Sequence, residues 1–105
     1  MLYLVLLADQ PPLEIIDTHL AAHRAFLARH YAAGHFLLSG PQEPRQGGAT
    51  LARAPDRATL EAWLREDPFQ QHGVAAYTVV AWRPTLRAAT VPAALAPEAA
   101  VAGGE

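Results

Sequence analysis

The sequence predicts an α+β fold of the ferredoxin-like type, with the element order β-α-β-β-α-β. Three observations lead to it: four apolar runs have the composition of strands, two segments have helical periodicity, and turn residues separate them. One domain is predicted over residues 1–84, followed by an Ala/Pro-rich flexible tail over residues 85–105.

The first strand, residues 2–8, is apolar at odd and even positions alike. A strand with one face in water would alternate, so this strand is expected to be covered on both faces. Two helices cover only one face of a four-stranded sheet, and the other face would leave a large apolar patch in water. We therefore expect a homodimer in which two copies pack through this sheet face.

The first helix is predicted from Leu13 to Gly34, after a turn at residues 9–12. Gly34 suits the left-handed position that often ends a helix. At about 100° per residue, five apolar side chains share one side of this helix, namely Ile15, Ile16, Leu20, Phe26 and Leu27. Three imidazoles lie on the same side, those of His19, His23 and His30. Imidazoles on a buried stripe require an explanation.

The second strand, residues 35–39, is expected to pair with the third, residues 49–53, as a hairpin. Asp56 is expected to be the N-cap or a first-turn residue of a second helix. The apolar stripe of that helix is Leu60, Trp63 and Leu64, and Asp67-Pro68 ends it. The last strand is predicted over residues 74–82. His35 and His72 lie at element boundaries and are expected to be solvated.

Composition excludes several classes of function. The net charge is −2 and no basic cluster is present, which argues against nucleic acid and anionic membranes as partners. Without cysteine or lysine, the chain has no disulfide, Cys-based zinc site or Schiff-base lysine. The apolar run at residues 2–8 is too short for a signal-peptide core or a membrane span, so a cytoplasmic location is expected.

A combination of short motifs resembles the YciI-like (YCII-related) family over about residues 1–84. His23 lies eleven residues before Gly34, Ser39-Gly40-Pro41 follows, then Glu66-Asp67-Pro68-Phe69 and a last strand that ends at Trp82. The resemblance implies a dimeric α+β barrel and a cleft with a His–Asp pair, here His23 and Asp67, from which enzymatic activity is proposed in the family. Arg24 departs from the family, where an apolar residue such as Leu is expected, and is predicted on the solvent side of the helix.

His23 and Asp67 are the candidate catalytic residues, and each has a structural alternative. His23 is either a general acid or base near neutral pH, oriented by a carboxylate, or a buried neutral imidazole bonded to a backbone carbonyl. Asp67 either fixes the tautomer of His23 or caps a short turn that begins at Pro68. Both roles of Asp67 are compatible because its two oxygens can accept from different donors.

Ser39 and Tyr3 are weaker candidates for groups that line the cleft and bind substrate. Ser39, at a strand end beside Gly40, either completes a turn or contacts a substrate oxygen. It lacks the Gly-x-Ser-x-Gly setting of a nucleophilic serine. Tyr3 is otherwise a core or interface residue, as are Tyr77, Trp63 and Phe36.

Three functions remain open from the sequence. The first is an enzyme of the isomerase, lyase or hydrolase type that transfers a proton on a small organic substrate and needs no cofactor. The alternative is a non-catalytic dimeric module that binds a small ligand or assists another enzyme. The third is a metal-dependent protein that uses His19 and His23, four residues apart on one helix face, with a third ligand from His30 or Asp67.

Overall fold

The centre of the molecule is a four-stranded antiparallel sheet of strand order β2-β3-β1-β4. The strands are β1 (Leu2–Asp9), β2 (Phe36–Pro41), β3 (Gly48–Arg53) and β4 (Ala75–Trp82). The structure is a computed structural model, and it describes residues 1–9, 13–44, 46–73 and 75–103. The predicted turn at residues 10–12 and Val74, predicted to begin the last strand, lie outside them. The α+β, ferredoxin-like prediction is confirmed, and β2 and β3 form the expected hairpin.

In the described part of the domain the helical segments are α1 (Leu13–Thr18), α2 (Leu20–Ala32), α3 (Arg57–Leu64) and α4 (Pro68–Gln71). Odd-numbered residues of β1 join the helices in one core, whose members include Tyr3, Val5, Leu7, Ile16, Phe26, Leu60 and Phe69. As predicted, Asp56 caps α3, since its carboxylate accepts a hydrogen bond from the Thr59 amide at 2.7 Å. No helix in the described ranges is both long and apolar enough to cross a membrane.

The predicted single helix from Leu13 to Gly34 is wrong at one point, because α1 and α2 are separate segments that meet at His19. The amide of His19 donates to the carbonyl of Ile16, a tighter turn than an α-helix makes. The Thr18 hydroxyl also donates to the Glu14 carbonyl, four residues back, at 2.9 Å. Such back-bonding bends helices, and the sequence carries no Gly or Pro here to signal it.

The C-terminal end of α2 follows the prediction. Gly34 has φ of 81°. Its amide donates to the Tyr31 carbonyl, and the next amide, of His35, donates to the His30 carbonyl at 2.9 Å. These two bonds make a Schellman motif. The motif carries the chain from α2 into β2 and places His35 next to His30.

The sheet face away from the helices carries an apolar row. Leu38, Leu51, Leu4 and Val80 lie directly across from one another on β2, β3, β1 and β4. Leu38 is 65% exposed and Val80 45%, and Trp82 on the next row is 50% exposed. We call Leu4, Leu38, Leu51, Val80 and Trp82 the outer face. Apolar side chains on this face agree with the first strand's pattern of apolar residues at both odd and even positions.

The segment after the last sheet strand has local structure in the described range. Two short strands, β5 (Leu86–Arg87) and β6 (Ala100–Val101), pair in parallel. The guanidinium of Arg53, on β3, donates to the carbonyls of Ala94 and Leu95 at 2.7 and 2.9 Å. The segment therefore has a contact with the sheet, and the flexibility expected of it in solution stays a prediction.

Candidate functional site

The imidazole of His23 meets the carboxylate of Asp67 at the junction of α2 and α4. His23 Nδ1 lies 2.8 Å from Asp67 Oδ1, within hydrogen-bonding distance. The Asp67 side chain is fully buried, whereas that of His23 retains 13% of its exposure. The two residues called catalytic from the sequence are thus brought together, with the acid in the interior and the imidazole at its edge.

Asp67 is held by two further donors. Its Oδ1 also accepts from the Phe69 amide at 3.0 Å, which makes it the N-cap of α4 with Pro68 at the first helical position. Its Oδ2 accepts from the Tyr77 hydroxyl of β4. Asp67 therefore combines the capping role and the contact with His23. Three donors satisfy a carboxylate that would be costly to bury alone.

The ring of His23 is oriented by stacking on Phe69. The ring centroids are 4.0 Å apart and the planes differ by 1°. Because a carboxylate only accepts, Nδ1 of His23 carries the proton of this hydrogen bond. In the neutral ring Nε2 then holds a lone pair, and no described group contacts it through a hydrogen bond. The imidazole is thus fixed in position with a basic nitrogen left free.

His23 lines a cavity of about 420 Å³ between α2 and the β2–β3 hairpin. The walls are mostly apolar and include Leu7, Ile16, Leu20, Leu27 and Phe69. Among the described residues, few polar side chains line it: Asp17, His23, Arg24, Ser39 and Thr50. An apolar concavity with a small number of polar groups is the usual form of a small-molecule site.

Gly47 forms part of the cavity wall where the turn between β2 and β3 comes close to β1. A Cβ atom at this position would lie 1.7 Å from the Leu7 carbonyl oxygen, and the Gly47 φ angle is 139°. Only glycine fits such a contact and such a backbone conformation. The hairpin can therefore lie against β1 at the floor of the cavity only because this residue has no side chain.

The two weaker candidates from the sequence have different positions. Ser39 lines the cavity, and its Oγ lies 2.6 Å from the Tyr31 hydroxyl. Tyr3 is 2% exposed within the hydrophobic core and does not line the cavity. The odd positions of β1 point toward the helices, and Tyr3 lies at the end of the strand away from Leu7, which does reach the cavity. The cleft-lining role suggested for Tyr3 is therefore corrected to a core role.

Arg24 has a position that the sequence did not predict. It is exposed, as expected for the solvent side of the helix, yet it also lines the cavity next to His23. Tyr77 was interpreted only as a core or interface residue. Strand alternation shows which sheet face a residue occupies but not which buried polar group it meets, so its bond to Asp67 carried no sequence signal.

A second His–carboxylate contact lies one heptad along α2. His30 Nε2 is 3.0 Å from Glu66 Oε1, and His30 Nδ1 is 2.9 Å from His35 Nδ1. His35 stacks on Trp63 with centroids 3.6 Å apart and is partly exposed, so the expectation that it is simply solvated misses this packing. The Schellman turn brings His35 against α3. Burial, and then the charge of His30, lower the pKa of His35 below its ordinary 6.5, while Glu66 opposes the shift.

The histidines proposed for a metal site each have other contacts. His19 stacks on His72, with ring centroids 4.2 Å apart. Among the residues that the structure describes, no group of three His, Cys, Asp or Glu side chains is arranged to hold a metal ion. His23 Nδ1 is committed to Asp67 rather than to a shared site with His19.

Comparisons with known proteins agree with this description. The family model of the YCII-related domain matches residues 1–83. Among solved structures, the chain is similar to 5-chloro-2-hydroxyhydroquinone dehydrochlorinase (TftG) from Burkholderia phenoliruptrix AC1100, in complex with 2,5-dihydroxybenzoquinone. The TM-score is 0.70 at 24% identity, and the match covers 80% of this chain and 95% of that one. No curated protein matches the chain.

Proposed function

The chain belongs to the YCII-related family, and we propose that it is an enzyme in which His23 transfers a proton on a small organic substrate. The observation that carries the proposal is the position of His23. A buried carboxylate fixes its Nδ1, Phe69 fixes its plane, and the ring borders an apolar cavity of about 420 Å³. This is the arrangement that a general base requires.

The proposed chemistry follows from the hydrogen bonds. Nε2 of His23 takes a proton from a substrate held in the cavity, and the ring becomes an imidazolium. Asp67 stabilises that charge through the 2.8 Å contact and prevents the ring from turning. Tyr77 and the Phe69 amide hold the carboxylate in place. A positioned acid or base of this kind contributes roughly 10²- to 10⁴-fold to a rate.

The substrate class that we propose is a small ring compound with an acidic hydrogen, transformed by isomerisation, elimination or hydrolysis. The largely apolar walls suit a ring, and the few polar groups suit its oxygen substituents. The dehydrochlorinase of similar fold supports elimination as one such reaction, because removal of HCl from a carbon framework requires a base.

The experiment compares two histidine variants of the same helix. Wild type, His23→Gln and His30→Gln are assayed for chloride release from chlorinated hydroxyhydroquinones and for solvent deuterium uptake by enolisable ring ketones. His23→Gln should lower kcat/KM by about 10²-fold or more. His30→Gln should leave it within a few-fold, because His30 does not line the cavity.

Two results would contradict the enzyme proposal. One is turnover that survives in His23→Gln at close to the wild-type rate. The other is ligand binding in the cavity without turnover of any compound in either assay. The second result would favour the non-catalytic binding or accessory module, in which the His23–Asp67 contact serves only to join α2 to α4.

We also propose that the protein is a homodimer through the outer face. The support is the continuous row of Leu38, Leu51, Leu4 and Val80, with exposed Trp82 beside it. Exposed apolar patches of this kind usually mark interfaces. Two such faces packed together would give the α+β barrel that the family resemblance implies.

Light scattering of the full chain tests the dimer. The expected mass at micromolar concentration is twice 11.3 kDa. Val80→Glu should shift the population to monomer, because it places a carboxylate in the middle of the row. The matched control is Ala62→Glu on the exposed surface of α3, which should remain dimeric. A monomeric wild type would contradict the proposal.

A further inference from the structure

We propose that Arg24 is a specificity residue, and that the ligand of the cavity carries an anionic group, a carboxylate or a phenolate, bound by its guanidinium. This deepens the proposed function and rests on the same cavity. The position of Arg24 is the first observation that supports this. Arg24 follows His23 directly on α2, and both side chains line the cavity. A group bound by Arg24 would thus lie beside the part of the ligand that faces His23.

The guanidinium of Arg24 has no polar or aromatic partner among the described residues. Within the described part of the chain, no hydrogen bond, ion pair or ring contact engages its guanidinium. By comparison, Arg53 donates to two carbonyls and Arg57 pairs with Glu61 at 2.9 Å. The guanidinium of Arg24 is therefore available to a ligand without the loss of an existing contact.

The third step concerns the sign of the charge at the cavity. Among the described residues that line it, two side chains carry a formal charge, those of Arg24 and Asp17. Asp17 already has an interaction within the chain, whereas Arg24 has none with the residues that the structure describes. Among the described residues the cation is thus the charge left for a ligand, and the apolar walls beside it suit the uncharged part of the same ligand.

The fourth step is the chemistry of the guanidinium. Its planar fork donates two parallel hydrogen bonds to a carboxylate, and it also binds phenolate oxygen. An apolar ring in the cavity, with an anionic substituent at the exposed guanidinium, would bury the apolar part of the ligand and keep its charge at the mouth. A neutral hydrocarbon ring would leave the arginine unused.

Binding of a matched pair of probes tests the proposal independently of turnover. Benzoate and benzamide have the same shape and differ in charge, and each is titrated into the full chain by NMR. Wild type should bind benzoate about tenfold or more tightly than benzamide. Arg24→Leu should remove that preference while leaving benzamide binding unchanged, and Arg24→Lys should retain part of it.

The control is Arg29→Leu, which removes one positive charge from the same helix at an exposed position that does not line the cavity. It should keep the preference for benzoate. The proposal is overturned by equal binding of the two probes, by absence of benzoate binding at millimolar concentration, or by equal losses in Arg24→Leu and Arg29→Leu. Tighter binding of benzylammonium than of benzoate would also overturn it, in favour of Asp17.

His23→Gln separates this inference from the proposed function. It should retain benzoate binding, because it leaves Arg24 and the apolar walls in place. If Arg24→Leu keeps the benzoate preference while His23→Gln loses turnover, the substrate class is wrong and the enzyme proposal stands. If benzoate binds through Arg24 but no variant affects any turnover, the inferred ligand class stands and the enzyme proposal is wrong.

Discussion

Helix α2 carries two His–carboxylate contacts that differ in which partner is buried. In the first, which we call the cavity pair, His23 meets Asp67, and the acid is completely buried. In the second, the packed pair, His30 meets Glu66, and the acid is 47% exposed while the imidazole is 7% exposed. Seven positions separate the two histidines along α2, and the two acids are neighbours in the sequence.

The difference between the pairs lies in the second nitrogen of each ring. Both nitrogens of His30 are occupied, Nε2 by Glu66 and Nδ1 by His35. His23 uses only Nδ1, and its ring borders the cavity. A His–carboxylate contact is therefore not sufficient for a site. The free nitrogen and the space in front of it distinguish a candidate base from a structural link.

The largest effect should come from the wall beside the cavity pair. In Gly47→Ala the new methyl group would overlap the Leu7 carbonyl, and the hairpin would have to move. We expect a loss of about 3 kcal/mol or more in the free energy of unfolding, measured with urea. Gly40→Ala is the control, because nothing lies within 4 Å of its Cβ position. Equal losses in the two variants would show that the approach to β1 is not tight.

Conservative changes of the two acids should differ in size. Asp67→Asn gives a buried site one donor too many, opposite His23, the Phe69 amide and Tyr77. The expected cost is about 2–3 kcal/mol in the free energy of unfolding. Glu66→Gln, at a half-exposed contact, should cost under about 1 kcal/mol. Similar costs for the two variants would mean that the burial of the acid does not distinguish the pairs.

The sequence contains local patterns that predict much of the fold and both residues of the cavity pair. The order of strands and helices along the chain followed from four apolar runs and two periodic segments, and Gly34 marked the end of the helix. The resemblance to the YCII-related family implies the pair of His23 and Asp67, and the same two residues stand out locally as an imidazole on an apolar stripe and an Asp-Pro cap. That they meet was a geometric expectation, since both helices cover one face of the sheet.

The remaining features depend on contacts between distant segments. The packed pair was missed because Glu66 and His35 look like ordinary surface residues in the sequence. The Schellman turn brings His35 to His30, and Glu66 reaches His30 from the end of α3. Tyr77 and Tyr3 have similar strand settings, and only the assembled core shows that one reaches Asp67 and the other does not. The break at His19 depends on a side chain–backbone bond that no periodicity reveals.

A pH effect on stability should come from the packed pair. Burial and His30 lower the pKa of His35, so the unfolded chain binds its proton more readily than the folded chain. Stability contributed at His35 is complete above the ordinary value of 6.5 and falls as the pH drops below it. The midpoint of thermal unfolding should therefore be lower at pH 5 than at pH 7.5, and the difference should shrink in His35→Phe. An unchanged difference would contradict the assignment to His35.

The central claim is that His23, and not His30, presents a free basic nitrogen to a ligand. Diethyl pyrocarbonate acylates unprotonated, accessible imidazole nitrogens, and peptide mass spectrometry reads the extent at each histidine. At pH 7.5 the account predicts rapid modification of His23, slowed by benzoate, and little modification of His30. Modification of His30 at a rate comparable to that of His23, or a His23 that does not react in the folded protein, would contradict it.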